Sequence, residues 1–280
     1  MDKRAFISVD VEGLPHIVSG IHLSTTKRLF NEARSIATEI TIHVAKVLHE
    51  HGFARVIVAD SHGEMLMIDP FKIPRYVDLV RGFPRPMAMI SGAEGCDIAI
   101  FLGYHARAGR EKATFSHTFT AAFREVKVNN IAVSEYLFNT YLLGEMGIPV
   151  VLVAGDRPLI DEVNKFTPWA IGVTLKESYT YYSAKSSSLD EIKEILTKSV
   201  KEAIDKFEKG LVKPLRPRTP IDLEIAFTST IYADIAELLP NVRRVSGDTI
   251  TYTAKSMREA CKVLELLIYA TLGVRYLITR

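Results

Sequence analysis

Cysteine is scarce in this sequence. Only Cys96 and Cys261 occur among its 280 residues, and they lie far apart in the chain. Small secreted domains need several cysteines to build a disulfide framework, and two distant thiols do not provide one. We therefore interpret both as reduced, mostly buried thiols of a protein in a reducing cytoplasm.

Long apolar runs are also missing. The chain begins Met-Asp-Lys-Arg and continues with a five-residue apolar segment at 5–9, which is too short for the core of a signal peptide. No apolar run approaches the roughly 20 residues that are needed to span a bilayer. These features predict a cytoplasmic protein with no membrane partner.

The sequence also has no large excess of basic or of acidic residues. The 35 basic and 33 acidic residues give a formal net charge of +2, and the basic residues are dispersed. Without a block of Lys and Arg to bind a phosphate backbone, we expect no nucleic-acid partner. The sequence also lacks a Walker-type Lys-Ser/Thr loop and a G-x-S-x-G elbow. These absences argue against a P-loop nucleotide site and against a serine hydrolase.

The first 155 residues alternate between predicted strands and predicted helices. Buried strands are predicted at 5–9, 55–59, 97–102 and 149–153. The apolar spacing from Leu29 to Val47 predicts a helix over 26–50, so the chain opens with a strand–helix–strand unit. Such a crossover joins parallel strands. The sequence therefore predicts an α/β fold, three-layered and Rossmann-like, around a mostly parallel sheet.

The most distinct linker is the segment 213–220, which holds three prolines among basic residues. Beyond it the pattern predicts a strand, a helix, a hairpin and a long terminal helix. We therefore predict a catalytic α/β domain at 1–212 and a smaller α+β subdomain, of βαββα order, at 213–280.

Side chains that bind metals follow the predicted strands where each strand ends. Asp10 and Glu12 follow the first strand, His62 the second and His105 the third. In open α/β sheets, ligands bind outside the carboxyl ends of the strands, so these side chains are expected at one edge. Carboxylates mixed with imidazoles suit Zn²⁺ or a similar ion, and their number suffices for two ions.

Structural alternatives exist for each of these residues. Asp10 and Glu12 could instead cap a helix or solvate a strand end, although two adjacent carboxylates repel each other unless a cation neutralises them. A single histidine at a strand end is more often structural, and Asp60 could orient the imidazole of His62. The repetition of such residues at three strand ends favours a metal site.

Further polar candidates lie between residues 115 and 139. Free histidine titrates near neutral pH, so His117 could act as a general acid or base beside a metal, or it could be an ordinary loop histidine. Glu135 and Asn139 are four residues apart on a predicted helix and share a face. Glu135 could be a bridging ligand, and Asn139 a donor to the substrate or to an oxyanion.

At these residues the sequence resembles the DppA-type zinc-dependent D-aminopeptidase family. Ser8-Val9-Asp10-Val11-Glu12-Gly13 matches the S-x-D-x-E-G signature of that family. The resemblance continues through Asp60-Ser61-His62-Gly63, Phe101-Leu102-Gly103-Tyr104-His105-Ala106, Ser116-His117, Glu135 with Asn139, and Val153-Ala154-Gly155-Asp156. The motifs are short singly but specific in this order and spacing, and a weaker likeness covers nearly the whole chain.

The resemblance carries expectations about the site and the assembly. It implies that a pair of zinc ions is bound by Asp10, Glu12, His62, His105 and Glu135. It implies that His117 is the catalytic histidine, and that the chain forms a homo-oligomer, a decamer of stacked pentameric rings. Departures from the family pattern at Ala59, Tyr136 and Arg157 concern the choice of substrate and touch no expected ligand.

Together these observations predict a metal-dependent aminopeptidase that removes the N-terminal residue of short peptides, with a D-amino-acid preference implied by the resemblance alone. One alternative is another cytoplasmic metallohydrolase, a phosphoesterase or a deacylase, at the same site. Phosphoester chemistry uses cations near the metals, and Arg107 and Arg110 are the candidates. A second alternative is a non-catalytic peptide-binding protein of a dipeptide transport system.

Overall fold

Two β-sheets organise residues 2–278, the part of the chain that the computed structural model describes. The strands are β1 (Lys3–Val9), β2 (Phe53–Asp60), β3 (Val77–Val80), β4 (Ile98–Tyr104), β5 (Phe123–Val128), β6 (Ile131–Ala132), β7 (Val150–Asp156), β8 (Ile171–Thr180), β9 (Ser183–Lys185), β10 (Ile221–Phe227), β11 (Arg243–Ser246) and β12 (Thr249–Ala254). The helices are α1 (Phe30–Glu50), α2 (Glu135–Glu145), α3 (Arg157–Phe166), α4 (Leu189–Glu208), α5 (Thr230–Ala236) and α6 (Met257–Ile278).

The main sheet has seven strands in the order β3-β2-β1-β4-β7-β8-β9. All neighbours pair in parallel except β8 and β9, which form an antiparallel edge. This mostly parallel sheet confirms the predicted α/β class. The strands β8 and β9 are additions that the sequence pattern does not predict, and α1 begins four residues later than the predicted helix over 26–50.

Both faces of the main sheet are covered, because successive side chains of a strand point to opposite sides. Ala5, Ile7 and Val9 of β1 pack on one face with apolar residues of α1 and α4. Phe6 packs on the other face with residues of α2, α3, α6 and the second sheet. The result is the three-layered arrangement that the alternation of strands and helices predicts.

The second sheet has five strands in the order β11-β12-β10-β5-β6. The predicted βαββα order of 213–280 is present as β10, α5, β11, β12 and α6. Its sheet is completed by β5 and β6, which belong to the first 212 residues, and β5 pairs antiparallel with β10. Pairing between such distant segments leaves no local pattern in the sequence. The division into 1–212 and 213–280 stays a prediction, and the second sheet crosses that boundary.

None of the helices described within residues 2–278 is long and apolar enough to cross a membrane.

Candidate metal centre

The carboxyl ends of three neighbouring strands bring the first candidate ligands together. Strand β1 lies between β2 and β4. Asp10 follows β1 directly, His105 follows β4 directly, and His62 lies two residues beyond β2. The crossover connections of parallel strands place these three ends at the same edge of the sheet. The structure thus brings together residues that are separated by up to 95 positions in the chain.

A close backbone crossing fixes Glu12 beside them. The N–H of Gly13 donates to the carbonyl of Gly103 over 2.7 Å. A Cβ atom on Gly13 would lie 1.8 Å from the carbonyl oxygen of Tyr104, so only glycine fits at this position. Gly103 has φ of +70°, and a Cβ atom on it would lie 2.1 Å from the carbonyl oxygen of Asp10. The two loops touch through these glycines, which holds Glu12 next to His105.

The five predicted ligands form one cluster of carboxylates and imidazoles, buried except for the partly exposed His62, which we call the metal cluster: Asp10, Glu12, His62, His105 and Glu135. His62 Nδ1 lies 3.0 Å from Asp10 Oδ1 and 3.3 Å from Glu12 Oε2. His105 Nε2 lies 3.5 Å from Asp10 Oδ2 and 3.6 Å from Glu12 Oε2. Glu135 Oε1 completes the cluster at 3.9 Å from His105 Nε2.

His117 lies over this cluster at the wall of the cavity. Its ring stacks on that of His105, with centroids 4.6 Å apart. Its Nε2 atom lies 3.5 Å from Glu135 Oε1 and 3.9 Å from Glu12 Oε2. The side chain of His117 is 22% exposed, whereas that of His105 is 1% exposed. The structure therefore places His117 where an incoming ligand can reach it.

Backbone carbonyls orient the three imidazoles. A carbonyl oxygen can only accept a hydrogen bond, so the ring nitrogen facing it must carry a proton. His62 Nε2, His105 Nδ1 and His117 Nδ1 donate to the carbonyls of Leu23, Ala106 and Phe115, over 3.1, 2.9 and 2.8 Å. In each neutral imidazole the remaining nitrogen, with its lone pair, faces the carboxylates. Partners of this kind fix the tautomer that metal-binding histidines require.

Charges in the cluster shift each other's titration. Burial disfavours ionised Glu12, but the surrounding imidazoles outweigh it and hold the pKa of this carboxyl well below its usual range. Burial also disfavours protonated His105, yet the carboxylates of Glu135, Glu12 and Asp10 raise its pKa to about 9. Against the same opposing burial, Glu12 and Asp10 raise the pKa of His62 well above its usual value. The buried carboxylates thus require positive charge beside them.

The donor set fits zinc. Three overlapping groups have donor atoms within 4.8 Å of one another: Asp10 with Glu12 and His62, Asp10 with His105 and Glu135, and Glu12 with His105 and His117. Asp10 Oδ2 and His105 Nε2 are buried without a hydrogen-bond partner among the described residues. Such atoms are costly unless something binds them. Carboxylate oxygens and imidazole nitrogens are ligands that zinc accepts, and overlapping groups can hold two ions.

Lys176 is a further component that the sequence pattern does not identify. It lies on β8, is 1% exposed, and donates from Nζ to the backbone carbonyls of Glu12 and Ile17. Burial lowers the pKa of this ammonium to about 8. A lysine in an unpredicted strand gives no local signal of such a role. Its contacts hold the loop that carries Glu12.

Two predicted neighbours make hydrogen bonds away from the metal cluster. Asp60 does not bond His62; its Oδ2 accepts from the N–H of Ile68 over 2.7 Å. Asn139 lies behind the cavity, because its buried amide donates to Tyr104 Oη and to Met89 Sδ, both over 3.3 Å. Its shared helix face with Glu135 turns toward the core. The structure therefore brings Glu135, and not Asn139, to the cavity.

A cavity of about 460 Å³ opens onto the metal cluster. Its wall includes one face of α6, which none of the sequence patterns linked to the site. Arg107 and Arg110 line a different cavity, together with Lys165 of α3. Of the described residues that line the metal cavity, Arg275 is the single Arg or Lys. The two arginines that the sequence offered for phosphoester chemistry, Arg107 and Arg110, are therefore not at the metal cluster.

Comparisons with known proteins agree with this geometry. The D-aminopeptidase family model matches residues 3–266 of the chain. The D-aminopeptidase of Bacillus subtilis (strain 168) is 29% identical over 274 residues, which are 97% of this chain and 98% of that relative. The solved structure of the Zn-dependent D-aminopeptidase DppA from Bacillus subtilis, described as a self-compartmentalizing protease, matches with a TM-score of 0.90. That match has 29% identity and covers 94% of this chain and 96% of the other.

These findings confirm the family resemblance and the fold class. They also confirm the predicted enzyme class, a metal-dependent aminopeptidase, and zinc as its metal. The family match covers most of the chain and includes all five residues of the metal cluster as well as His117. The chain therefore belongs to the D-aminopeptidase family.

Proposed function

We propose that this aminopeptidase removes the N-terminal D-amino acid from short peptides, with two zinc ions held by the metal cluster. The observation that supports this most directly is the overlap of donor groups, in which Asp10 belongs both to the group with Glu12 and His62 and to the group with His105 and Glu135. Bound zinc supplies a Lewis acid for the scissile carbonyl and a source of hydroxide at neutral pH.

His117 is the residue that moves a proton in this proposal. Its Nδ1–H is engaged by the carbonyl of Phe115, so Nε2 of the neutral ring has a free lone pair directed at Glu12 and Glu135. A base at this position takes a proton from the attacking nucleophile and returns it to the leaving amine. Its partial exposure leaves Nε2 accessible from the cavity.

Selection of a free amino terminus follows from the groups at the inner end of the cavity. Asp10, Glu12 and Glu135 all line that end. A free amine can bind there to a zinc ion or to a carboxylate oxygen, whereas the nitrogen of an internal amide is uncharged and a poor ligand. The volume of about 460 Å³ suits a ligand of a few residues, because pockets for small molecules span about 300–1,000 Å³.

The D-preference and the assembly rest on the relatives. Both similar proteins are D-aminopeptidases, and one is described as self-compartmentalizing. We extend both properties to this chain and propose a homo-oligomer, a decamer of stacked pentamers. The free, buried Cys96 and Cys261 support a reducing, cytoplasmic location.

A substitution of His117 tests the proposal. His117→Ala is expected to lower kcat on D-alanyl p-nitroanilide by about 10²–10⁴-fold, the usual contribution of a general acid or base, while zinc stays bound. Zinc content is measured on the same sample. His51→Ala serves as the control, since this imidazole bonds Val47 at the end of α1. Full activity of His117→Ala, or faster cleavage of the L-alanyl than of the D-alanyl substrate, would contradict the corresponding part of the proposal.

A further inference from the structure

The terminal helix α6 turns one of its faces into the cavity. Glu265, Ile268, Tyr269, Leu272 and Arg275 line it, at the spacing of three and four residues that places side chains on one side of a helix. A second face of the helix is buried in the core and consists of Met257, Ala260, Cys261, Leu264 and Leu267. Of the apolar residues on the cavity face, Tyr269 and Leu272 do not belong to this core cluster. We call Ile268, Tyr269 and Leu272 the α6 wall.

Apolar side chains from residues 83–119 oppose the α6 wall. The ring of Phe83 stacks on that of Tyr269, with centroids 6.3 Å apart and planes inclined by 15°. Met89 and Phe119 line the same cavity. The backbone N–H of Phe119 donates to Glu135 Oε1 over 2.6 Å, so the apolar lining begins directly beside the metal cluster.

The α6 wall is held in place before any ligand binds. Glu265 Oε1 accepts from the N–H of Ala88 over 3.1 Å, which links the helix to the loop that carries Met89. Ile268 also packs against the core. A preformed apolar surface needs little ordering when a ligand arrives, so contact with it contributes to affinity more fully.

The depth of the cavity decides which part of a peptide meets this surface. The metal cluster is buried at the inner end, whereas Phe83 and Leu272 are 48% and 47% exposed at the outer end. In an aminopeptidase the amino terminus and the scissile carbonyl both lie at the metals. Because the chain can continue only from its second residue, that residue lies further out, beside the apolar part of the cavity.

We propose that the α6 wall, with Phe83, Met89 and Phe119, is a subsite for a bulky apolar side chain at the second residue of the peptide. This inference rests on the proposed function and adds the class of substrate, namely short peptides whose second residue is leucine-like or phenylalanine-like. An alanyl or glycyl residue would leave this surface in contact with water. Each methylene placed in an apolar pocket contributes about 10–200-fold to selectivity.

The test compares three peptides on the zinc-loaded protein: D-Ala-Gly-Gly, D-Ala-L-Leu-Gly and D-Ala-D-Leu-Gly. For the unmodified chain, kcat/KM is expected to be at least tenfold higher for one leucyl isomer than for the glycyl peptide, mainly through KM. Leu272→Ala and Ile268→Ala should remove most of this preference. Leu272 is half exposed, so its variant is expected to fold even where Ile268→Ala does not.

Leu266→Ala is the matched control, because this leucine is 49% exposed on the same helix but does not line the cavity. It should keep the preference unchanged. Equal kcat/KM for the glycyl and leucyl peptides, or equal effects of Leu266→Ala and Leu272→Ala, would overturn the subsite. If the zinc-loaded protein cleaves none of these peptides, the proposed function is wrong, and the proposal of the subsite is then wrong as well.

Discussion

The metal cluster and the α6 wall line the same cavity but are built in opposite ways. The cluster joins five residues that are scattered between positions 10 and 135. They follow strands or begin a helix next to the main sheet, and the cluster is largely buried and charged. The wall comes from residues 268 to 272, near the end of the chain, and is apolar and partly exposed. The comparison assigns the chemistry of the site to the metal cluster and the selectivity for the peptide to the α6 wall.

The difference has energetic consequences. Buried carboxylates and imidazoles depend on one another, because removal of one charge leaves its partner unpaired in a medium that solvates it poorly. Apolar side chains at a half-exposed wall contribute more independently, roughly in proportion to the area that a ligand covers. Substitutions in the cluster should therefore have large and coupled effects, and those in the wall smaller and substrate-dependent ones.

The largest expected effect is that of His105→Ala. His105 shares a donor group with Asp10 and Glu135, so its loss leaves that zinc site with two of its three ligands. We expect zinc content to fall and kcat to drop by more than about 100-fold, beyond the loss typical of residues that only orient a ligand. Zinc per subunit and hydrolysis of D-alanyl p-nitroanilide are measured together. His43→Ala on α1, where the imidazole bonds Thr197, is the control. A variant that retains its zinc and its activity would remove His105 from the metal site.

An intermediate effect is expected from Lys176→Met. This change removes the ammonium that bonds the carbonyls of Glu12 and Ile17 while it keeps a side chain of similar length. Loosening the loop of Glu12 should raise the Kd for zinc by about 10–100-fold, as for other groups that support a ligand. Because Lys176 does not line the cavity, the preference for the leucyl over the glycyl peptide should persist at saturating zinc.

The exposed Lys185 of β9 provides the control for this variant. Lys185→Met should leave zinc affinity unchanged. If Lys176→Met lowers only the unfolding temperature and leaves the Kd for zinc as it was, the lysine has a purely structural role. If it also abolishes peptide selectivity, the cluster and the wall are less independent than the comparison states.

The sequence allowed the cluster to be predicted but not the wall. Asp10, His62 and His105 each follow an apolar strand, and parallel strands necessarily bring such ends to one edge of the sheet. The contact of α6 with the cavity depends instead on antiparallel pairing between β5 and β10, almost 100 residues apart, which no local period encodes. Lys176 could not be predicted for a related reason. Its partners are backbone carbonyls, and because every residue has one, the sequence does not show which carbonyls a lysine will bind.

Asn139 shows the limit of helical spacing as a guide. Its position four residues after Glu135 places both on nearby parts of one helix face, but the cavity touches α2 only at its first turn. One turn further along, the same face meets Tyr104 and Met89 in the core. Helical periodicity predicts which side of the helix a side chain is on. It does not predict at which turn that side passes from the cavity into the core.

The smallest expected effect is a pH dependence of stability that distinguishes the metal cluster from the α6 wall. In the zinc-free protein the pKa of His105 is about 9 and that of His62 is also raised, against about 6.5 for unfolded histidine. Between pH 6.5 and 8 the folded state therefore binds more protons than the unfolded state, so stability falls as pH rises. Above about pH 8 the lowered pKa of Lys176 acts in the opposite direction, because the folded state then loses a proton that the unfolded state keeps.

Thermal unfolding of the zinc-free protein between pH 6.5 and 8 measures this slope, and Tm should decrease by about 2–4 °C for each kcal/mol lost. Zinc in place of the protons removes the titration, so the loaded protein should show no such decrease. Leu272→Ala, a change in the α6 wall, should leave the slope of the zinc-free protein as it was, because no titrating group is altered. A zinc-free protein whose Tm stays constant or rises over this range would mean that His62 and His105 are not held protonated by Asp10, Glu12 and Glu135, and the electrostatic contrast between cluster and wall would be lost.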